Sequence, residues 1–322
     1  MQKWKLKINC SKTETVVFNG KVKSPTIGTE KIKICDSSKS LGVIVDKKLS
    51  FANHSANYAR TLNAKMNMLK PFIYNGLHCS SALRIPTQVM LPKALYAVSV
   101  WNSKDCVLLH KHLQNITGAH YNPSSDCLHK LSGVLTVKLM MTGERLQTVR
   151  NLMSAGLTRI ITSPQKSALA KIFLADCRKL IPRSTKLEDC APTALSQKNI
   201  KSLISREWER QWKASLQNRQ CHQGLLSELP PKHLSMYSLP LHNRHQILGK
   251  LCDLLTGHSK LQLFQYIIKN SYTLTCSCLE EDESPSHYLF RCKDYATLRD
   301  EIKPNPQDWD SNIEFITKSR RL

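Results

Sequence analysis

Residues 276–292 read CSCLEEDESPSHYLFRC, with three cysteines and one histidine inside seventeen residues. The spacing is Cys276-x-Cys278, eight residues, His287, four residues, Cys292. Zinc takes four thiolate or imidazole ligands, and two ligands a few residues apart can bite the ion from one turn. A pair at each end closes the loop between them, and the acids with Ser and Pro make a solvated tip. HYLFRC sets apolar residues between its two ligands, where they can pack beneath the metal. The pattern predicts a structural zinc on Cys276, Cys278, His287 and Cys292 in a small zinc-knuckle-like module. Four protein ligands leave no open position for a catalytic water. Chance proximity and a redox pair are the competing readings of the same spacing.

The other cysteines of the twelve are scattered, which argues against a disulfide framework and for reduced, buried thiols. The longest apolar runs, such as VMLPKALYAVSVW, fall short of the ~20 residues that span a bilayer, and MQKWKLKINCSK lacks an apolar signal core. The expectation is a soluble, intracellular chain, nuclear or cytoplasmic, with no membrane partner. A net charge of +23 attracts polyanions and releases their counterions, so RNA or DNA leads the partner classes. Simple solubility and an anionic membrane surface are the alternatives. Residues 1–70 hold fourteen Lys and Arg against four Asp and Glu, whereas CLEEDESPS is locally acidic.

Apolar periodicity changes along the chain. TVVF (15–18), KIKIC (31–35) and LGVIVD (41–46) alternate, with Ile32 and Ile34 on one face and Leu41, Val43 and Val45 on another. DSSKS between the last two is turn chemistry, which predicts a hairpin across 31–46. After residue 51, Ala59, Leu62, Met66 and Leu69 share a helical face, with Lys65 and Lys70 elsewhere; this helix should end near Pro71. Residues 80–117 predict two more helices, with Pro86 and Pro92 as starts or kinks, and 134–180 stays helical. IPRSTKLEDCAPTALS (181–196) reads as a linker. Beyond it come a helix bearing Trp208 and Trp212 on one face, a loop with LPPK and SLPLHN, and a helix at about 243–268.

No catalytic constellation stands out. Two-metal chemistry needs carboxylates about 4 Å apart, and the closest acids, Glu280 to Glu283, lie in the cysteine loop. There is no phosphate-binding glycine loop, nucleophile elbow or His-Glu-x-x-His helix. Lysines interleaved with strand residues, as in KWKLKIN and KIKIC, could face phosphates, although a solvated sheet face gives the same pattern. Trp4, Phe18 and Phe51 could stack on bases or anchor a core.

Several stretches together resemble one family, the reverse transcriptases of non-LTR retrotransposons, especially the jockey-like group. WKLKINCSKTETVVF is similar to the segment that follows that family's catalytic strand-turn-strand, and KSLGVIVDKKLSFANH to its Leu-Gly primer-grip passage. LPKALYAVSVWN and LQNITGAHYNPSSDCLHKLSGVL resemble the region after the thumb. LLTGHSKLQLFQY, with the cysteine stretch and DYATLRDEI, resembles the C-terminal Thr-Gly-His helix and Cys-Cys-His-Cys module. The similar stretches occur in the family's order over most of the chain. The aspartate pair that holds catalytic magnesium in the family has no counterpart here, nor do residues 132–240 show the Asp-rich strand start of an RNase H domain.

The resemblance implies an α+β, mainly helical chain. Residues 1–50 would be a palm remnant with the primer-grip hairpin, 51–131 thumb-like helices, 132–195 a helical connection, and 196–322 a helical region ending in the zinc module. Lys12 would lie near an incoming triphosphate, Leu41 and Gly42 would carry the grip turn, and Lys65 and Lys70 would touch backbone phosphates without reading sequence. Asp46 matches a family position in the grip region and not in the metal site. The implied function is a truncated polymerase fragment, inactive in nucleotidyl transfer, that retains nucleic-acid binding. Magnesium would enter only with the missing palm. One alternative is a piece of an active RNA-directed DNA polymerase mis-started at Met1; another is a zinc-dependent protein-interaction module. A palm cut from its fingers would also leave strand edges exposed in the first fifty residues.

Overall fold

A computed structural model describes residues 8–18, 20, 23–101, 107–157, 159, 168–179, 192–218, 244–304 and 309–319. The architecture is α+β and mainly helical. Among the described residues six short strands come first: β1 (Glu14–Thr15), β2 (Thr26–Ile27), β3 (Glu30–Lys31), β4 (Lys33–Ile34), β5 (Ser37–Ser40) and β6 (Val43–Asp46). They form three separate two-stranded ladders: β1 with β4 in parallel, and β2 with β3 and β5 with β6 antiparallel.

The helical body opens with α1 (Ala52–Tyr74), α2 (Cys79–Ile85), α3 (Leu91–Leu95), α4 (Val107–Thr117) and α5 (Ser125–Ser132). It continues with α6 (Val137–Ser154), α7 (Ala168–Cys177), α8 (Gln197–Asn218) and α9 (Arg244–Thr256). The C-terminal part holds α10 (Gln262–Ile267), α11 (Pro285–Phe290), α12 (Ala296–Ile302) and α13 (Trp309–Lys318). No helix among the described residues is long and apolar enough to cross a membrane. No disulfide joins the described cysteines. Trp4, most of the 181–196 stretch and the LPPK and SLPLHN loop lie outside the described residues.

The hairpin forms, but its turn is not where DSSKS suggested. Ser37–Ser40 is strand β5, and the reversal falls at Leu41-Gly42, between the paired Ser40 and Val43. Both turn residues have positive φ, 45° and 89°, the signature of the type I′ turn whose twist suits a two-residue hairpin. Short polar residues can occupy an exposed strand, so their turn preference yields to the glycine that supplies the left-handed backbone. Leu41 consequently leaves the expected apolar face and is 88% exposed, while Val43 packs with Phe51 and Trp101. Ile32 and Ile34 also part: Ile32 is buried between two different ladders and Ile34 is exposed. Of TVVF only Thr15 is strand, and Phe18 is exposed.

Helix α1 runs past Pro71 to Tyr74. A proline removes one N–H but leaves the following carbonyls free to pair, and Asn75 N donates to Pro71 O at 2.9 Å. Gly76, at φ 95°, ends the helix, with Leu77 N donating to Phe72 O and Gly76 N to Ile73 O. This is the two-bond C-terminal cap that glycine permits. The extra turn buries Ile73, along with Leu62 and Met66 further up the helix. Pro86 opens a π-turn over Pro86–Met90, where Thr87 Oγ1 donates to Leu83 O at 2.7 Å.

One large core joins distant parts of the chain. It contains Ile73 from α1, Leu83 from α2, Leu113 and Ile116 from α4, and Leu128 and Leu131 from α5. The same cluster takes in Trp212, Leu251 and Leu255 of α8 and α9, then Tyr288, Leu289 and Phe315 near the C-terminus. A second cluster packs α6, α7 and α8 through Leu146, Val149, Phe173, Ile200 and Ile204, and Leu195 before α8 is fully buried in it. Trp208 borders this second core while Trp212 lies in the first. The buried Lys130 ammonium sits 5.2 Å and 5.9 Å from their ring centroids and 2.6 Å from Glu209.

Helix α9 reaches this position through two glycines. A Cβ on Gly249 would fall 2.3 Å from Gly118 O, and one on Gly118, at φ 69°, would fall 2.6 Å from His245 O. Next to this contact Asp253 accepts from the His120 N–H at 3.2 Å and sits 2.9 Å from its Nδ1. Burial raises the Asp253 carboxyl to about 6, with the His120 contacts opposing. Gly249→Ala must therefore push α9 off its neighbour, and we expect a loss near the top of the ~1–3 kcal/mol range for overpacking, measured by urea denaturation. Gly143→Ala on α6 is the control, because a Cβ there meets only Ile204 side-chain atoms at 3.8 Å and 4.0 Å.

Candidate functional site

Two places collect most of the residues singled out in the sequence. The first is the Cys/His stretch. Leu274 to Glu283 folds back on itself: Glu283 N donates to Leu274 O and Cys276 N to Glu281 O, both at 2.9 Å. Leu279, at φ 64°, makes the tight reversal, and its N–H donates to Cys276 O. Ser284 caps α11 through the His287 N–H, and Cys292 N then donates to His287 O at 2.8 Å. The hairpin thus presents Cys276 and Cys278, α11 presents His287, and the turn just after α11 presents Cys292.

The four ligand atoms lie within 4.8 Å of one another and all four residues are buried. Cys276 Sγ is 3.5 Å from Cys292 Sγ, and Cys278 Sγ is 3.2 Å from His287 Nε2. Such an arrangement could hold a metal ion. The Glu280 backbone N–H, opposed by burial, leads the influences that lower the Cys278 thiol to about 7, whereas burial pushes Cys292 up to about 12. A bound cation would displace the remaining thiol protons. Behind the ring, Glu281 Oε2 stands 3.4 Å from His287 Nδ1, where a carboxylate orients a metal-bound imidazole, and Arg291 Nε holds Glu281 at 3.0 Å.

The acids here are not a simple solvated tip. Glu280 pairs with Lys293 at 3.1 Å and Glu281 with Arg291, while Glu283 is buried and accepts from Gln262 N at the start of α10 at 2.7 Å. Tyr288 and Leu289, between His287 and Cys292, enter the main core, where Tyr288 makes edge contacts with Tyr295 and Phe315 and a hydrogen bond with Ser319.

The second place is a cleft of about 590 Å³ between the β5–β6 hairpin, α1 and the π-turn with α3. Lys39, Lys65 and Lys93 line it, one from each wall, with Gly42, Tyr58 and Tyr96, and no carboxylate is among its lining residues. Its walls are tied in a ring. Tyr96 Oη donates to Leu41 O at 3.1 Å, Trp101 Nε1 donates to Tyr96 O at 2.9 Å, and the Trp101 ring meets His54 edge-on at 4.7 Å. His54 Nδ1 closes the ring by accepting the Ile44 N–H at 3.3 Å.

Asp46 anchors the corner between β6 and α1. It accepts from the N–H groups of Lys48, Ser50 and Phe51 and from the Ser50 hydroxyl, at 2.6–3.1 Å. Burial pushes its carboxyl up, but these donors more than offset that and leave it below its usual range. Phe51, left-handed at φ 54°, then starts α1 with its ring in the Val43–Trp101 cluster.

Of the five residues expected to meet nucleic acid, Gly42 and Lys65 line the cleft and Leu41 stands in the turn at its edge. Lys70 does not line the cleft; its charge acts on His112 of α4, which burial first and that charge second lower to about 4. Lys12 is exposed at the end of a 3₁₀ turn and is not a cleft residue. Nothing in the sequence marks Lys39, His54, Lys93 and Tyr96 as neighbours, because only folding brings these separate segments to one cleft. An acid four and five residues ahead of Ser50-Phe51, at a helix start, was the visible cue for Asp46 as a capping residue.

The chain is 24% identical over 176 residues to the "Probable RNA-directed DNA polymerase from transposon X-element" of Drosophila melanogaster. The match covers 49% of this chain and 19% of that protein, so the chain spans about a fifth of the relative's length. No protein-family model matches. No solved structure matches. The likeness is distant and partial, and it is to a transposon-encoded reverse transcriptase.

Replacing Asp46 with Asn removes the charge that three backbone N–H groups address, at an expected loss of about 2 kcal/mol at neutral pH. A carboxyl lowered in the folded state stabilises above the ordinary carboxylate range and loses that effect as pH falls through its folded value. Denaturant midpoints of the parent and Asp46→Asn should therefore converge in acid; a gap that stays constant with pH contradicts the ionised-acceptor role.

Proposed function

We propose that this chain is a fragment of a non-LTR, jockey-like reverse transcriptase that binds RNA or DNA through backbone phosphates and does not itself carry out nucleotidyl transfer. The observation that carries the reading is the carboxylate-free cleft, where the Leu41-Gly42 turn, α1 and the π-turn with α3 bring Lys39, Lys65 and Lys93 together. The partial likeness to a transposon RNA-directed DNA polymerase supports it, as does the net charge of +23. Leu41 adds to it: an apolar residue in a left-handed turn, almost fully exposed, is kept at a local cost of about 1 kcal/mol, as functional turns often are. In this reading the Leu41-Gly42 turn grips a strand end, Lys65 contacts phosphate, and Lys12 and Lys70 contribute from outside the cleft. Magnesium chemistry belongs to a catalytic palm that this chain would need to be supplied with, and the protein acts in the nucleus or cytoplasm.

In the same reading Cys276, Cys278, His287 and Cys292 hold a structural zinc. Three sulfurs and one imidazole nitrogen, buried and mutually close, are the donor set zinc prefers, and a fully protein-ligated ion stabilises rather than catalyses. Zinc would lock the 276–283 hairpin to α11 and so hold Tyr288 and Leu289 in the main core.

Binding of the purified chain to a labelled primer–template should weaken steeply with salt, by about 0.9 in log affinity per log salt for each phosphate engaged. An absence of binding at low ionic strength contradicts the proposal and favours a protein-interaction module. Metal analysis should find one equivalent of zinc, lost in Cys276→Ser/Cys292→Ser; no zinc in the parent removes the metal site.

A further inference from the structure

The chemistry of the cleft is more particular than a patch of positive charge. Three lysines serve phosphate, yet most of the remaining surface is apolar, contributed by Ile44, Tyr58, Val89, Pro92 and the Tyr96 ring. A double helix presents phosphates to a protein and stacks its base faces against each other, so it has nothing to bury on such a floor. An unpaired nucleotide offers both a phosphate and an open aromatic face. We propose that the cleft is a site for an unpaired nucleotide of a single strand, its base against the Tyr96 side of the floor and its phosphates on Lys39, Lys65 and Lys93. This rests on the reading that the chain binds nucleic acid and adds which form it prefers.

Tyr96 is built for that role. It is 56% exposed and belongs to no core cluster, so packing does not account for it. Its hydroxyl is held by Leu41 O at 3.1 Å, and its Cε1 lies 3.5 Å from where a Cβ on Gly42 would be. The ring is therefore oriented before a ligand arrives, and stacking on it sacrifices little side-chain freedom. The Trp101 indole fixes the Tyr96 backbone, and the exposed Val89 faces the same space. A volume of about 590 Å³ lies within the usual span of small-molecule sites and accommodates a base with its sugar.

The test is fluorescence anisotropy of the full chain with three probes: a labelled oligothymidine, the same strand with abasic positions, and the matching duplex. The single strand should bind more tightly than the duplex, and abasic positions should weaken it. Tyr96→Ala should weaken the single strand roughly five- to a hundred-fold, the range that stacking of one base supplies, without changing the salt slope. Tyr96→Phe, which keeps the ring and loses only the bond to Leu41 O, should lose much less. Lys39→Gln, Lys65→Gln and Lys93→Gln together should lower the salt slope by about 0.7 per lysine. Circular dichroism confirms that each variant is folded. Equal affinity for all three probes, with Tyr96→Ala indifferent, overturns the unpaired-nucleotide site while leaving nucleic-acid binding in place. No binding of any probe at low salt overturns both.

Discussion

The fold depends on how closely helix α9 approaches the turn after α4. Neither Gly118 nor Gly249 has a side chain, and any Cβ at Gly249 would collide with a backbone oxygen 2.3 Å away. That approach lets Leu251, Cys252, Leu254 and Leu255 sit fully inside the core shared with α4, α5 and α13. Because interiors pack at crystal-like density, a helix held even one methyl group further out would open voids along its whole buried face. The helices that follow the hairpin and the segments that carry the cysteines are thereby parts of one hydrophobic body.

The consequence for the Cys/His cluster is that its ligands are not on a free tail. Tyr288 and Leu289 lie between His287 and Cys292 and are both buried in that common core. Glu283 reaches from the cysteine hairpin to the first N–H of α10. Four ligand atoms within 4.8 Å are then positioned by packing on one side and by the Glu281–Arg291 pair on the other. Metal binding at such a site and burial of the aromatic core would reinforce each other, since each orders the same short helix.

The cleft is organised by different physics. Its walls meet through polar contacts at the ends of elements, from Asp46 under the start of α1 to the ring of Tyr96, Trp101 and His54. Among the described residues two small buried apolar groups lie beside it: Val43, Phe51 and Trp101, and Leu62, Met66 and Met90, which join α1 to the π-turn. Hydrogen bonds that close a ring fix direction better than apolar contacts do, which suits a surface whose lysines and tyrosine need set orientations. Ahead of it, β1 to β4 form two short, separate two-stranded ladders.

By itself the sequence determined the predominance of helix after residue 51, through the 3.6-residue apolar period, and the grouping of Cys276, Cys278, His287 and Cys292, because those ligands are close along the chain. Local residue types also located the hairpin, although not its turn: DSSKS carries the polar composition of a reversal, but Gly42 supplies the backbone conformation that one needs. The tertiary structure alone decided that α1 continues past Pro71, since burial of Ile73 and the Gly76 cap outweigh one missing hydrogen bond. It alone joined Lys39, Lys65 and Lys93 with Tyr96 in one cleft, and left Lys70 outside it near His112. Neither result could be read from spacing, because residues tens of positions apart become neighbours only when tertiary packing brings their elements together.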